Sequence, residues 1–522
     1  MTTSPLRRAA AELPFGGPPH ACGSVALVGA GPGDPGLITL RAARLLSTAT
    51  FVAYDRLAPR SALDLCPPDC ELLDVGKLPD RHKLTQDEIN ARLVAAAEQG
   101  HAVVRWKGGD PFVLARGSEE GQACCSAGIP FEVTPGITSG VAAPAYAGIP
   151  ATHRGTAPGF AVVTGHEDPT KPDAQVDWHA LARFPGTLLV YMGVGRLRGI
   201  ADALQEGGRD PHTPVSLVRW GTTPAQEVLA ATLDTVADQV EARGFGAPAI
   251  IVVGEVADLR GELAWFDTRP LHGTSVLVPR TRQQASELSE RLRFLGAEPV
   301  EAPTIALAPT REPERLRETA VRLRDGAADW VALTSVNGVD ALLGAVHDAG
   351  GDARWLAATR LAAVGSGTAE ALARHGLRAD LVPERFTTRG LAEELVASGP
   401  PARALLPRAD LASPVLSEVL AEAGWSVEEV EAYRTVPAEA LPAEAADRLA
   451  QGTIDVIALA SSSTVRNLVS LLGGPPPPQV RIAAIGPVTA QTCRELGLRV
   501  DAEADPHDLD GLVEAVRVAA GH

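Results

Sequence analysis

Short apolar runs alternate with longer stretches of mixed polarity along the first half of the chain. The runs that have the length and composition of buried strands are SVALVGA, ATFVAYD, AVVRWKGG, TLLVYMG, PVSLVRW and AIIVVGEV. The stretches between them, such as LITLRAARLLS and TQDEINARLVAAAEQG, have the character of helices. Short strands separated by helical segments predict an α/β architecture.

The second half of the chain contains an internal repeat. VLVPR matches ALLPR, DWVALTSVNGVDALLGAV matches DVIALASSSTVRNLVSLL, and RLAAVGSGTAEALARHGLRADLV matches RIAAIGPVTAQTCRELGLRVDAE, in the same order. Gly296 and Gly424 are separated by the same number of residues as Arg280 and Arg408. The repeat is too long for a solenoid and predicts two duplicated α/β lobes with a cleft between them. Each Ser/Thr-rich turn facing that cleft is, taken singly, equally explained as a helix cap.

The two halves meet within ELAWFDTRPLHGTSVLVPR, where the rhythm of the pattern changes near Pro270. We predict an N-terminal extension at residues 1–22, a first domain at 23–266, a linker at 267–273 and a second domain at 274–522. A length of 522 residues is too great for a single core and agrees with this division.

Composition and net charge narrow the range of possible functions. The chain is 45% hydrophobic and 21% charged, which is typical of globular proteins. A formal net charge of -17 argues against general binding of nucleic acid or anionic membranes, but it permits a local basic pocket for an anionic small molecule. The six cysteines lack a matching histidine cluster, so we expect free thiols and no metal site. Neither a secretory signal nor a transmembrane stretch is recognisable, and we therefore expect a cytoplasmic protein.

The loop GAGPGDPG, directly after the first strand, is the first candidate for chemistry. It does not fit the dinucleotide-binding spacing G-x-G-x-x-G, because a match starting at Gly29 would need glycine where the chain has Asp34. A second loop, KGGDPF, again leads out of a strand through Gly108 and Gly109 into Asp110, which can cap a helix or bind a ligand. Glycines at such places allow a ligand to approach the backbone closely.

A family resemblance explains these loops together. VGAGPGDPGLITLRA, VAYDRL, HKLTQDEIN, KGGDPF, TPGITS, AGIPATHR, VTGHE, YMG and RWGTTPAQE stand in the order and spacing of the uroporphyrinogen-III C-methyltransferases, so that residues 24–266 resemble this branch of the tetrapyrrole methylase family. The resemblance implies two α/β lobes enclosing S-adenosylmethionine (SAM), and a homodimer formed through this domain. The cofactor contacts that it implies are Pro32, Gly108, Gly109, Asp110, Val113, Thr138, Ser139, Met192 and Gly221. Met192, taken alone, is better explained as a core residue.

The same resemblance implies the catalytic and substrate residues. Asp55 and Lys77 match the family's proton acceptor and proton donor, although a surface salt bridge is the simpler alternative. The substrate carries eight carboxylates, which arginine pairs with well. The implied substrate contacts are Arg116, Glu119 and Arg154, with Arg116 as a rival for direct proton transfer. The chain departs from the family in VLARGSEE, where an aromatic residue and a glycine commonly precede the arginine. The resemblance therefore does not predict the local shape of the pocket.

The second half resembles uroporphyrinogen-III synthase in VLVPR, LTSVNGV, VGSGTAEAL, VEAYRT, SSSTV and IGPVTA, spread over residues 274–517. The resemblance implies closure of linear hydroxymethylbilane into a ring with inversion of its last pyrrole. Tyr433 is our candidate for assisting loss of the hydroxyl group, with a core role as the alternative. The residues expected to line the cleft are Thr334, Ser335, Ser461, Ser462, Ser463, Gly486 and Thr489. Leu459 and Ala460 stand where this family commonly has a Phe-Thr pair.

These resemblances predict a bifunctional enzyme of siroheme or cobalamin biosynthesis. Its second half would make uroporphyrinogen III, and its first half would methylate that product twice with SAM to give precorrin-2. Small-molecule tetrapyrroles are the expected partners, with neither nucleic acid nor membrane. Two alternatives remain open: a methylase for a later precorrin, and a C-terminal half that binds a ligand or regulates without turnover.

Overall fold

A computed structural model describes residues 21–76, 84–169, 174–279, 282–410 and 412–522, and this part of the chain forms four five-stranded sheets flanked by helices. The strands are β1 Ser24–Gly29, β2 Phe51–Tyr54, β3 Glu71–Asp74, β4 Ala102–Lys107, β5 Phe131–Thr134, β6 Phe160–Thr164, β7 Thr187–Tyr191, β8 Pro214–Arg219, β9 Glu227–Thr232, β10 Ala249–Val253, β11 Ser275–Val278, β12 Glu298–Glu301, β13 Ile305–Pro309, β14 Trp330–Leu333, β15 Arg360–Ala363, β16 Arg403–Ala409, β17 Ser426–Pro437, β18 Val456–Leu459, β19 Arg481–Ala484 and β20 Ala502–Glu503. The α-helices are α1 Leu40–Thr48, α2 Gln86–Glu98, α3 Gly117–Ser126, α4 Ser139–Tyr146, α5 Trp178–Ala182, α6 Leu197–Glu206, α7 Val236–Arg243, α8 Arg260–Leu263, α9 Arg282–Phe294, α10 Pro313–Arg324, α11 Val336–Asp348, α12 Ser366–Arg374, α13 Thr388–Ala397, α14 Val415–Glu422, α15 Ala443–Ala450, α16 Ser462–Leu472, α17 Pro487–Glu495 and α18 Leu509–Ala520. The predicted α/β architecture is confirmed.

The first sheet is parallel throughout, in the order β3-β2-β4-β1-β5. Its central strands β1 and β4 are buried along their whole length, in agreement with the apolar sequence of β1 and with the apolar residues of β4, although β4 also carries Arg105 and Lys107. Helix α1 begins after Thr39, whose hydroxyl accepts a hydrogen bond from the Ala42 amide, and the helix buries Leu45 and Leu46. Because parallel strands end at one edge of a sheet, the loops after β1, β4 and β5 lie together.

The second sheet is mixed, in the order β6-β7-β10-β8-β9, and β10 runs antiparallel to both of its neighbours. Helix α4 follows β5 of the first sheet but packs Ala143 with Leu189 and Val218 of the second. This helix therefore connects the two lobes of the first half. The alternation of strands and helices in the sequence did not reveal the antiparallel pairs, because strand direction depends on how the chain returns to the sheet.

In the second half, the sequence repeats do not coincide with the lobes. Strands β11 and β12 of the first repeat form a parallel sheet with β18, β19 and β20 of the second repeat. Strands β14 and β15 of the first repeat pair in turn with β16 and β17 of the second. The fold is bilobal and duplicated as expected, but the expectation that one repeat makes one lobe is corrected. Each lobe combines strands from both repeats.

Two aspartates at matching positions of the repeats mark this exchange. Asp329, immediately before β14, accepts a hydrogen bond from the backbone N–H of Arg403 at 2.9 Å. Asp455, immediately before β18, accepts one from the backbone N–H of Ser275 at 2.7 Å. Arg403 and Ser275 each begin the first strand of the other repeat. Each repeat therefore supplies a carboxylate that fastens the opening strand of its counterpart.

The segment predicted as a linker is packed against both halves. On the first half, the Asp267 carboxylate accepts hydrogen bonds from the Arg260 guanidinium, one of them at 3.4 Å from Nη1. On the second half, Leu271 is fully buried and its amide donates to the Leu295 carbonyl at 2.9 Å. His272 also contacts the first half, because its Nε2 lies 3.0 Å from the carbonyl oxygen of Gln226. The halves are thus joined through a packed segment. Most of the predicted extension, residues 1–20, lies outside the described residues.

Candidate active sites

Three loops meet at the carboxyl edge of the first sheet. The backbones of Gly31 and Gly109 exchange two hydrogen bonds, with N···O distances of 3.2 and 2.7 Å. The carboxylate of Asp110 accepts from the amides of Phe112 at 2.8 Å and Gly136 at 3.0 Å, so it holds the second loop to the third. A Cβ on Gly136 would lie 2.2 Å from the Gly109 carbonyl oxygen, and this approach therefore requires glycine. The structure brings the predicted cofactor loops together.

Backbone strain is concentrated around the same edge. Among the described residues, non-glycine side chains with positive φ are confined to Leu114, Arg116, Met192, Trp220 and Thr222, with φ between 47° and 70°. Such conformations cost about 1–3 kcal/mol each and persist where the surrounding structure enforces them. They fall in the loops after β4, β7 and β8. Their common location indicates a functional site.

A cavity of about 320 Å³ opens between the loop 111–119 and the end of the second sheet. Its lining includes Phe112, Arg116, Glu119, Thr164 and Met192. Met192 is 52% exposed, which contradicts the alternative that it is a core residue. One cavity therefore contains a predicted cofactor residue and two predicted substrate residues.

Helix α4 begins between the two lobes, with Thr138 as its N-cap and Ser139 as its first residue. The Thr138 hydroxyl is 2.5 Å from the Tyr191 hydroxyl, which also accepts a hydrogen bond from the Gly140 amide. Tyr191 at the end of β7 therefore fastens the helix to the second sheet. The unpaired amides of a helix N-terminus are suited to binding polar groups of a ligand.

The remaining predicted cofactor residues lie in the same loops. Pro32 is half-buried between Gly31 and Gly33, and the amide of Val113 donates to the Asp110 carbonyl at 3.4 Å. Gly108 directly follows β4 and is half-buried. Gly221 lies against helix α4, because a Cβ there would be 2.2 Å from the Cβ of Ala143.

The predicted substrate residues divide into a pair and a single residue. The Arg116 guanidinium donates to the two Glu119 carboxylate oxygens at 2.9 and 2.7 Å, and this hydrogen bonding lowers the pKa of Glu119. Arg154 is exposed in a turn that the backbones of His153 and Ala157 close, and it is not among the residues that line the cavity. The structure thus brings Arg116 and Glu119 together without Arg154.

Asp55, the predicted proton acceptor, is held by a buried arginine. Its carboxylate accepts from Arg105 Nη2 at 2.7 Å, and Arg105 Nε donates to Glu120 Oε1 at 2.9 Å. Lys107 Nζ lies 3.0 Å from the same Glu120 oxygen. The salt-bridge alternative for Asp55 therefore holds in part, but its partner is buried and is not a surface group. Lys77, the predicted donor, lies outside the described residues.

Arg105, Lys107 and Glu120 were missed from the sequence. A signal was present, because Arg105 and Lys107 are charged residues at alternating positions of a strand that otherwise reads as fully buried. Alternating residues share one face of a sheet, so two buried cations require an anion from a neighbouring element. Helix α3 supplies it through Glu120.

In the second half, Tyr433 contacts one of the predicted turns. Its hydroxyl lies 3.1 Å from Ser335 Oγ, and either group can donate. Ser335 is the N-cap of α11 and also accepts from the Gly338 amide at 3.0 Å, while Thr334 directly precedes it and is half-buried. Tyr433 is half-buried in β17. Its hydroxyl is therefore paired with a hydroxyl at a helix N-terminus.

The matching turn of the second repeat forms a cluster of hydroxyls. Ser461 is the N-cap of α16, and its Oγ lies 3.0 Å from Ser463 Oγ and 2.8 Å from Thr464 Oγ1. Ser462 Oγ donates to the Val488 carbonyl of the next helix at 3.2 Å. Within the described chain, no hydrogen bond joins this cluster to Tyr433 or Ser335.

The other two predicted residues of this cleft lie at the start of α17. Gly486 is its N-cap, and a Cβ there would be 3.1 Å from the His507 ring. Thr489 lies in the first turn and is only 5% exposed, so its side chain is buried in the lobe.

Comparison with known proteins connects these sites to two families. The model of the tetrapyrrole (corrin/porphyrin) methylases matches residues 24–237, and the model of uroporphyrinogen-III synthase HemD matches residues 286–514. The porphyrin biosynthesis protein HemD of Ruminiclostridium josui is 36% identical over 96% of this chain and 98% of its own length. One relative thus spans both matches.

Other relatives cover the first half. The S-adenosyl-L-methionine-dependent uroporphyrinogen III methyltransferase of Methanosarcina barkeri is 48% identical over 45% of this chain and 93% of its own length. The siroheme synthase of Methylococcus capsulatus is 48% identical over 48% of this chain, which spans about half (52%) of that relative.

Solved structures resemble each half separately. The uroporphyrin-III C-methyl transferase of Thermus thermophilus, complexed with S-adenyl homocysteine, is 42% identical, with a TM-score of 0.39, over 45% of this chain and 99% of its own. A mutant uroporphyrinogen III synthase of the same organism is 24% identical, with a TM-score of 0.31, over 48% of this chain and 99% of its own.

None of the helices in the described part of the chain combines the length and apolar character needed to cross a bilayer. No group of three or more His, Cys, Asp or Glu side chains in the described ranges is arranged to hold a metal ion.

Proposed function

Since this chain belongs to the family in which a tetrapyrrole methylase is fused to uroporphyrinogen-III synthase, we propose that its two halves catalyse consecutive reactions. The chain is an enzyme, with a SAM-dependent uroporphyrinogen-III C-methyltransferase half and a uroporphyrinogen-III synthase half. The synthase half closes hydroxymethylbilane with inversion of the last pyrrole. The methyltransferase half then adds two methyl groups to give precorrin-2, on the way to siroheme or cobalamin.

The observation that carries the methyltransferase proposal is the cavity shared by Met192, Arg116 and Glu119. It is bordered by exposed apolar side chains, with Phe112 55% and Met192 52% exposed. Gly109 is buried, and a Cβ added there would be in ordinary contact with the Ser139 amide nitrogen at 3.6 Å, so this glycine packs against the start of helix α4 at the border of the cavity. Polar amides next to an apolar wall suit a molecule that has both charged groups and an apolar body.

The residues that would hold SAM are those of the three loops and helix α4, with Met192 and Gly221 from the second lobe. When bound, SAM supplies an electrophilic methyl group on a sulfonium. The chain itself orients the electron-rich pyrrole carbon toward that methyl and keeps water out, and positioning of this kind is worth several kcal/mol. No metal is needed for these steps.

Proton transfer completes the methylation. The methylated macrocycle must lose one proton, and we assign its acceptance to the carboxylate of Asp55. Lys77 would donate a proton at one position of the ring and regain one from another, so that the net loss stays at one proton. Arg116 and Arg154 bind substrate carboxylates. Arg116 is paired with Glu119 in this structure, so we expect it to exchange that partner for a substrate carboxylate, because both offer the same two acceptor oxygens.

In the synthase half, Tyr433 donates its proton to the departing hydroxyl of hydroxymethylbilane, which leaves as water and generates the electrophilic end of the chain. Ser335, 3.1 Å away, keeps the Tyr433 hydroxyl oriented. The hydroxyls of Ser461, Ser462 and Ser463, together with the backbone amides at helix N-termini, bind the carboxylates of the folded substrate. This arrangement supports steering of a reactive substrate more than strong acid-base catalysis.

The test is to give the purified chain fresh hydroxymethylbilane with and without SAM, and to determine the porphyrinogen isomer and the product mass. We expect isomer III without SAM, and the mass of two added methyl groups with it. Isomer I alone, with supplied uroporphyrinogen III still methylated, would contradict the synthase assignment and favour a binding module. Methylation only of a later precorrin would contradict the substrate assignment.

We also propose that the enzyme works in the cytoplasm as a homodimer formed through the methyltransferase domain. Its partners would be tetrapyrroles, without nucleic acid or membrane. Sedimentation of the full chain should give twice the mass of 54.3 kDa, and both activities should survive a chelator. A monomeric mass at assay concentration would contradict the dimer, and loss of activity with chelator would contradict metal independence.

A further inference from the structure

Four charged side chains form a layer that begins next to the cavity wall, since Glu120 directly follows the lining residue Glu119. Arg105 and Lys107 on β4 are each 2% exposed, and Glu120 on α3 is fully buried. Arg105 bridges the Glu120 and Asp55 carboxylates at 2.9 and 2.7 Å. Asp55 is the one member of this layer that reaches solvent, with 33% of its side chain exposed. The layer therefore connects the interior of the sheet to the predicted proton acceptor.

Stability alone is a weak explanation for this layer. Burying charges is costly even when they are paired, and well-packed apolar residues often replace a buried ion pair without loss of stability. Glu120 Oε2 moreover lacks a hydrogen-bond partner although it is buried. Both cations point to the other oxygen, Glu120 Oε1. The arrangement thus retains an expensive and incompletely paired carboxylate directly behind Arg105.

The geometry fixes the Arg105 guanidinium in one orientation. In addition to the two carboxylate contacts of the guanidinium, Arg105 Nη1 lies 3.3 Å from the carbonyl oxygen of Ala53 and 3.4 Å from the carbonyl oxygen of Trp106. Because the guanidinium is planar, contacts on three sides leave it no freedom to rotate. The direction from which it meets Asp55 is therefore set by Glu120 and by the backbone.

We propose that Arg105 and Glu120 are positioning residues for methyl transfer, because they hold the Asp55 carboxylate in the orientation in which it accepts the proton of the substrate. This inference rests on the proposed role of Asp55. Lys107 compensates the remaining charge of Glu120. Burial, followed by the positive charge of Arg105, lowers the pKa of Lys107, in agreement with two cations that share one carboxylate.

The same layer is coupled to the cavity wall. Glu120 directly follows Glu119, and the positive charge of Lys107 contributes to lowering the pKa of Glu119 after the contributions of Arg116. Gln86 also reaches Glu120 Oε1, at 3.3 Å. None of the hydrogen bonds described for Glu120 reaches the SAM loops, so we expect a change at Glu120 to leave SAM binding intact.

The test compares Glu120→Gln, Arg105→Lys and Asp55→Asn, and combines each of the first two with the third, in the full-length chain. Glu120→Gln keeps the shape but loses the anchoring charge, and Arg105→Lys keeps the charge but cannot span both carboxylates. We expect each to lower kcat of uroporphyrinogen III methylation about 10- to 100-fold, with little change in KM, because misplacement of a reacting group by about 1 Å has effects of this size. SAM affinity, measured by calorimetry, should remain unchanged.

The decisive readout is non-additivity. If Glu120 and Arg105 act only through Asp55, neither substitution lowers kcat further in the Asp55→Asn background. Synthase activity of the same preparations reports on folding of the chain. The matched control is Glu132→Gln on β5 of the same sheet, which removes a carboxylate from the partly exposed ion pair with Arg41 of helix α1 and should leave both activities unchanged.

Each other outcome overturns the inference. Equal fold losses in the wild-type and Asp55→Asn backgrounds indicate a structural role independent of Asp55. Unchanged kcat in both single variants, with kcat lost in Asp55→Asn, refutes the positioning role alone. Unchanged kcat in Asp55→Asn refutes the proposed role of Asp55 itself, and the positioning role with it. Because two variants of different character are used, misfolding of one leaves the test intact.

Discussion

The two halves place their candidate sites at the same kind of position, the carboxyl ends of parallel strands, but build them from different groups. In the methyltransferase half the site combines strained backbone, such as φ 57° at Met192, with buried charges such as Glu120. In the synthase half the candidates are hydroxyls at helix N-termini, and no non-glycine residue in the described ranges 282–410 and 412–522 has positive φ.

This difference corresponds to the chemistry that we propose for each half. Transfer of a methyl group requires donor, acceptor and base to be held at short, fixed distances, and strain and buried ion pairs provide such rigidity. Folding a flexible polycarboxylate around its own reactive end requires many moderate contacts instead, which hydroxyls and helix amides provide. The comparison can be tested because both activities reside on one chain, so each serves as a control for the other.

The largest expected effect is the loss of methylation in Asp55→Asn. Without a carboxylate to accept the proton, kcat of methylation should fall about 100- to 10,000-fold, the usual contribution of a general base. The rate of uroporphyrinogen III formation from hydroxymethylbilane should be unchanged. A parallel loss of both activities would show that the two halves are not independent, and full methylation would remove Asp55 from the mechanism.

A smaller effect is expected in the other half from Tyr433→Phe. Removing the hydroxyl that lies 3.1 Å from Ser335 Oγ should slow cyclisation about 10- to 100-fold and raise the fraction of isomer I. Methylation of supplied uroporphyrinogen III should continue at the wild-type rate. If cyclisation keeps its rate, Tyr433 has only the packing role that its half-buried position also allows.

The rigidity of the methyltransferase site can be weakened directly with Gly136→Ala. The new Cβ would lie 2.2 Å from the Gly109 carbonyl oxygen, so we expect about 1–3 kcal/mol of destabilisation together with weaker SAM binding. Gly261→Ala is the matched control, because no atom lies within 4 Å of its Cβ position. Chemical denaturation and calorimetry measure the two effects, and equal results for both variants would contradict close packing of the loops.

The smallest effect concerns the exchange of strands in the synthase half. Hydrogen bonds from the side chain and then the backbone of Arg403 lower the pKa of Asp329 to about 2. Because this folded-state pKa lies below the ordinary value of 3.8, the ionised carboxylate stabilises the fold above about pH 4, and the contribution disappears as the pH falls through about 2. The pair is partly exposed, so Asp329→Asn should cost no more than about 1 kcal/mol at pH 7.

The measurement for Asp329→Asn is the free energy of unfolding of the variant and the wild type at pH 7 and pH 3. The difference between them should shrink at the lower pH. A difference that stays constant would mean that the hydrogen bonds contribute without the charge. A cost of several kcal/mol would mean that the whole exchange depends on this one carboxylate.

Local features of the fold could be read from the sequence because they depend on neighbouring residues. The capping box of Thr85 and Glu88 at the start of α2, and the strand runs that became β1 and β4, follow from patterns within a few residues. The glycine-rich loops could be recognised for the same reason, because only glycine lets two backbone segments approach each other so closely.

The pairing of the buried charges and the solvent exposure of individual site residues could not be predicted from local sequence. Arg105 and Lys107 appear in the sequence as two cations in a strand, and only the packing of α3 shows that Glu120 pairs with both of them. Met192 became an exposed cavity residue and Thr489 a buried one for the same reason. Burial depends on which elements pack together, and local sequence carries little of that information.

The sequence by itself therefore determined that the chain has two α/β halves, where their loops and caps lie, and that the second half is duplicated. Only the tertiary structure decided that the repeats exchange strands, with Asp329 and Asp455 each fastening the opening strand of the other repeat. The physical reason is that a repeat specifies what each strand looks like, but not its partner. Two similar repeats offer similar strand edges, and the choice between them depends on contacts between residues far apart in the chain.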